Sequence, residues 1–73
     1  MMKDLWKELT DEETAGFNFG EYYSGEQKIL KPALERKGFR DVRFFMGECD
    51  SCGPLSRIVR ATKDGRRHEF FYG

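Results

Sequence analysis

The sequence predicts an α+β fold: a kinked helix packed on a three-stranded antiparallel sheet, preceded by a short N-terminal helical arm. Three observations carry this expectation. Residues 25–37 show helical apolar spacing, residues beyond 41 alternate with the period of a strand, and Asp64-Gly65 divides the last alternating stretch as a tight hairpin does. With 73 residues, 38% of them hydrophobic, the chain has room for one small domain, read as an arm (1–23), a main helix (24–38) and a sheet (41–73). It is expected to be complete and freestanding.

Leu5, Trp6 and Leu9 fall on one side of a first helical turn. Thr10 with Glu13 has the form of a capping box, in which hydroxyl and carboxylate each take the other residue's amide proton, and so is expected to open a second short helix. Residues 16–23 are aromatic and punctuated by glycine, the composition of an ordered loop or a short edge strand. Ser24 and Gln27 repeat the capping-box pattern ahead of the i, i+4 pairs Ile29–Ala33 and Leu30–Leu34. Pro32 lies inside this helix without the amide that would bond to the carbonyl of Lys28, which predicts a kink or a split. Gly38 is placed for a left-handed cap, with Phe39 folding back onto the apolar side.

Val42, Phe44 and Met46 then alternate with Arg43, Phe45 and Gly47. After a turn-rich stretch a second strand is expected near residues 56–62 and a third near 66–72. A two-residue type I′ turn at Asp64-Gly65 sets Val59 opposite Phe70, Ala61 opposite His68, Arg57 opposite Tyr72 and Arg60 opposite Glu69. A longer bulged turn would shift the register by one and send the third strand's side chains to the other face.

No stretch reaches the roughly 18 to 20 apolar residues of a membrane span, and the N-terminus has no apolar leader, so a cytoplasmic location is expected. No nucleophile elbow, phosphate-binding glycine loop or paired metal-ligand motif occurs, and His68, the sole histidine, lacks a recognisable catalytic partner in sequence; the expectation is a protein that is not an enzyme and uses no cofactor. Cys49 and Cys52 have the spacing of half a zinc knuckle. His68 is the remaining soft ligand, giving Cys49, Cys52 and His68 as the candidate metal ligands, and a zinc-stabilised dimer through the Cys49/Cys52 turn stands as an alternative to two ordinary turn thiols.

The 13 basic and 13 acidic residues balance, yet residues 1–35 carry net −4 and residues 36–73 net +4. The two halves are able to pair internally, or the basic half is free for a partner. Phe45, Arg57, Ile58, Arg60, Arg66, Arg67 and Phe71 are the candidate binding residues, since exposed aromatics beside arginine are the chemistry of interface hot spots. The leading expectation is a small regulator or inhibitor that binds a larger protein partner, of the kind many phages and mobile elements encode. That part rests on size and the absence of catalytic motifs. The alternative is a nucleic-acid-binding module using Arg57, Arg60, Lys63, Arg66 and Arg67, with stacking and phosphate pairing. The chain is expected as a monomer, or as a homodimer paired through an exposed edge strand.

Overall fold

The structure, a computed structural model, describes residues 2–49 and 53–72, with side chains placed for 2–47 and 56–72. The class is α+β. Strand β1 (Lys3–Asp4) leads into α1 (Leu5–Glu8). The main helix, α2, runs through three abutting segments, Tyr22–Gly25, Glu26–Leu30 and Lys31–Arg36. Strands β2 (Arg40–Cys49), β3 (Gly53–Lys63) and β4 (Arg66–Phe71) follow, and the sheet order is β1-β4-β3-β2. The predicted three-stranded antiparallel sheet therefore gains a fourth, parallel strand, with Lys3 beside Phe70 and Asp4 beside Phe71. Two residues carry too little pattern to announce such a pairing.

Asp4 caps α1 by accepting the amide proton of Trp6 at 3.0 Å, which turns Leu5 and Leu9 into the core. The Thr10–Glu13 capping box forms: the Thr10 amide donates to Glu13 Oε1 at 2.8 Å and the Glu13 amide to Thr10 Oγ1 at 3.2 Å. It opens a run of turns instead of the expected helix. The Thr14 hydroxyl bonds back to the Thr10 carbonyl, and Gly16 leaves helical space at φ 88°.

The main helix begins earlier than its second capping-box pattern suggests. Ser24 lies inside the first turn, and the helix starts at Tyr22 without a side-chain cap. An Asn18 turn delivers the chain there, with Asn18 Oδ1 accepting from the Gly20 amide and the Asn18 carbonyl from Glu21. Pro32 has its predicted consequence in an unusual form. The turn before it, Glu26–Leu30, is a π-helix, and the Lys31 amide donates to the Glu26 carbonyl five residues back. Widening the turn accommodates the missing proline donor without ending the helix. The helix closes as expected at Gly38, φ 95°, where the Gly38 amide reaches the Glu35 carbonyl and the Phe39 amide reaches that of Leu34. This doubly bonded cap folds Phe39 onto Leu34, and both are buried.

Asp64 and Gly65 both have positive φ, 54° and 75°, the type I′ signature, and the predicted register follows: Val59–Phe70, Ala61–His68 and Arg60–Glu69. One face of the sheet therefore presents Val59, Ala61 and Phe70 to Leu30, Ala33 and Leu34 of α2, with Leu5 and Leu9 completing the core. Toward the other end the packing is aromatic: Trp6, Phe17, Phe19, Tyr22 and Tyr72 meet edge to face, or tilted in the Tyr22–Tyr72 pair, with centroids 5.1 to 6.4 Å apart. The apolar side of β2 stops at Phe44. Met46, expected on the same side, is 52% exposed because its cross-strand neighbour is Arg57, whose contacts are ionic.

Glu26, in the π turn, is the buried carboxylate of this end. Its Oε2 accepts from Arg57 Nη1 at 3.2 Å and from the Tyr72 hydroxyl, while the Arg57 guanidinium lies 3.8 Å from the centre of the Tyr22 ring. Burial, then the bonded carboxylate, push the Tyr72 hydroxyl far above its ordinary value of 10.0. The folded state thus holds that proton where the unfolded chain releases it. Its stabilisation is complete below about pH 10 and declines above it, by about 1.4 kcal/mol per pH unit for one proton. Urea midpoints measured from pH 8 upward should fall past this point, and Tyr72→Phe should flatten the decline; an equally steep decline in that variant would assign the loss to other groups.

Candidate binding surface

The register of β2, β3 and β4 composes the outer face, the one turned away from α2, in three cross-strand rows. Phe45, Ile58 and Phe71 form one row; Arg43, Arg60 and Glu69 form the next; Arg40, Thr62 and Arg67 form the third. Arg40 reaches this face through a β-bulge. Between Arg40 and Arg43 the strand carries one residue more than its partner, and Asp41 takes φ 52°. In an unbroken strand, residues three apart point to opposite faces; the bulge returns Arg40 to the side of Arg43.

Arg60 Nε and Nη2 both donate to Glu69 Oε2, at 3.1 and 3.0 Å, and its guanidinium carbon sits 5.0 Å from the centre of the Phe45 ring. Both side chains remain more than a third exposed, so the ion pair fixes Arg60 over the ring more than it stabilises the fold. Arg40, Arg43 and Arg67 are exposed, and among the described residues none has an ion-pair partner. Among the described residues the face therefore carries four guanidiniums, one of them paired with a carboxylate.

Of the residues singled out in the sequence, Phe45, Arg60, Arg67 and Phe71 come together here. Ile58 lies in the middle of them but is buried at 2% exposure, against the expectation that it is an open contact. Gly47 explains this: a Cβ there would stand 3.2 Å from Ile58 Cδ1 and 3.4 Å from the Phe45 ring, so the bare glycine backbone lets both side chains settle onto it. Arg57 is a second correction, since it points to the helix side and is held by Glu26 and Tyr22. Arg66 is a third. It pairs with Lys63 at the hairpin end, and the two join Glu8, Phe39, Asp64 and His68 around an open cleft of about 530 Å³ on the helix side, with Lys63 Nζ 5.2 Å from the Phe39 ring centre. The five-residue basic set of the nucleic-acid reading is thus divided between two faces. Arg40 and Arg43, outside the set drawn from the sequence, also lie on the outer face; the bulge that brings Arg40 there has Asp41 as its only sequence signal.

His68 stacks on Phe70 and meets Phe39 edge to face, which is a core-rim role. Cys52 and the Cys49 side chain lie outside the described residues, and with them the zinc reading. Among the described residues no group of three metal-ligating side chains converges. Glu13 of the acidic run is tied to Lys37 at 3.5 Å, and the Thr10 amide holds its carboxyl below the ordinary range. No described helix is long and apolar enough to cross a membrane. Compared with known proteins, the chain matches no family model, no curated protein and no solved structure.

Proposed function

We propose that the protein is a non-enzymatic regulator or inhibitor that binds a larger protein partner, one with an acidic surface, through the outer sheet face. The observation that carries the reading is the set of three exposed arginines, Arg40, Arg43 and Arg67, which have no ion-pair partner among the described residues and surround the half-buried rings of Phe45 and Phe71. Guanidiniums bond carboxylates in a planar fork, and aromatic rings beside them supply the area that such contacts need. Arg60 already lies over Phe45, which leaves that ring less open to base stacking and favours a protein over single-stranded nucleic acid. The cytoplasmic setting and the mobile-element origin belong to the same proposal.

The test is affinity capture from host lysate with wild type and with Arg43→Glu/Arg67→Glu, in parallel with and without nuclease. Both substituted side chains are exposed, so the circular dichroism spectrum should be unchanged. Capture of an acidic protein should survive nuclease and fall at least about tenfold in the double variant, the effect of about 1.4 kcal/mol. Equal capture by the variant rejects the face; capture abolished by nuclease transfers the reading to nucleic acid.

A further inference from the structure

Strand β2 is an edge of the sheet: β3 pairs with one side, and among the described residues no strand covers the other. An edge strand offers a row of unpaired amides and carbonyls to any second strand. What distinguishes this edge is its composition. Residues 42–46 place Val42, Phe44 and Met46 toward the helix side and Arg43 and Phe45 toward the outer face, and Met46 is more than half exposed.

We propose that two copies of this chain join through β2, antiparallel about a two-fold axis at Phe44. A perpendicular two-fold keeps each face continuous, so opposed residues must share a face. With Phe44 opposite itself, Val42 meets the partner's Met46 and Arg43 meets the partner's Phe45, twice over. Exposed Met46 then gains an apolar neighbour, and Arg43 gains a ring. Sliding the strands two residues one way sets Arg43 against the partner's Arg43; sliding them the other way sets Phe45 against the partner's Phe45 but leaves Arg43 against the partner's Gly47, with no ring for its guanidinium. The bulge at Asp41 ends the matching stretch on one side. The two-fold pairing consumes the β2 edge in both copies, so the assembly closes at two. The joined sheet would carry both outer faces side by side, yet the pairing stands independently of the partner proposed above.

Sedimentation velocity on the full chain up to about 1 mM distinguishes the cases. Wild type is expected to shift reversibly from its 8.6 kDa mass to twice that value as concentration rises. Met46→Lys should remain monomeric over the same range with an unchanged circular dichroism spectrum, since its side chain is already half in water, and Arg43→Ala should weaken association about fivefold. A wild-type chain that stays monomeric throughout overturns the proposal, as does Met46→Lys associating like wild type. Met46 lies off the outer face, so its variant keeps partner capture if that separate reading holds.

Discussion

Arg57→Met should lower the free energy of unfolding by about 3 kcal/mol, the largest loss expected from any charged residue of the chain. The variant keeps the aliphatic bulk and removes the charge opposite Glu26. That carboxylate is 6% exposed, lies beneath the aromatic cluster and is otherwise met by the Tyr72 hydroxyl alone among the described partners. Removing one member of a buried ion pair costs roughly 3 to 5 kcal/mol, and the lower end applies because the Arg57 side chain is one-third exposed, so water can follow into its place. Chains of this length have only about 4 to 11 kcal/mol in total. Urea denaturation at neutral pH reads the loss directly. Adding Glu26→Leu to Arg57→Met should recover part of the stability, since the stranded charge is then gone. A single variant within about 0.5 kcal/mol of wild type would mean that Glu26 does not depend on Arg57.

Gly25→Ala should destabilise the protein by about 1 to 3 kcal/mol, the opposite of the gain of about 1 kcal/mol that alanine brings to an open helical site. Gly25 has ordinary helical dihedrals, so no backbone strain is involved. The obstacle is Phe17: a Cβ on Gly25 would lie 2.6 Å from two atoms of its ring. Phe17 is itself held edge to face by Trp6, Phe19 and Tyr22, so moving it disturbs the cluster that roofs Glu26. Thermal unfolding followed by near-ultraviolet circular dichroism would show both the lower midpoint and the altered aromatic signal. A raised midpoint would show that the ring yields freely.

The elements that could be read from the sequence are those whose causes are local. Asp64-Gly65 fixes the β3–β4 register because two adjacent residues must both adopt positive φ, and Gly38 with Phe39 closes α2 for a similar reason. Ser24 misled because a serine three residues ahead of a glutamine caps a helix only when the chain is not already helical, and here the Asn18 turn has started it sooner. The pairing of Arg57 with Glu26 spans 31 residues and depends on the phase of the π turn, which proline announces as a disturbance without giving its form. On the outer face, the alternation placed Phe45, Arg60 and Phe71 correctly, while a single inserted residue at Asp41 brought Arg40 over and a missing side chain at Gly47 let Ile58 sink. Period-two patterns carry no record of either event.

The tip formed by Asp64 and Gly65 has a practical use. Both residues are exposed, and a Cβ at Gly65 would meet no atom within 4 Å. Foreign sequence spliced in at this point would displace no packed side chain, though it replaces the two-residue turn and leaves the register to the core-facing Val59–Phe70 and Ala61–His68 pairs. An epitope or fluorescent reporter grafted there leaves β2 and the middle of the outer face unobstructed, so the protein can be tracked or immobilised while its surfaces remain available.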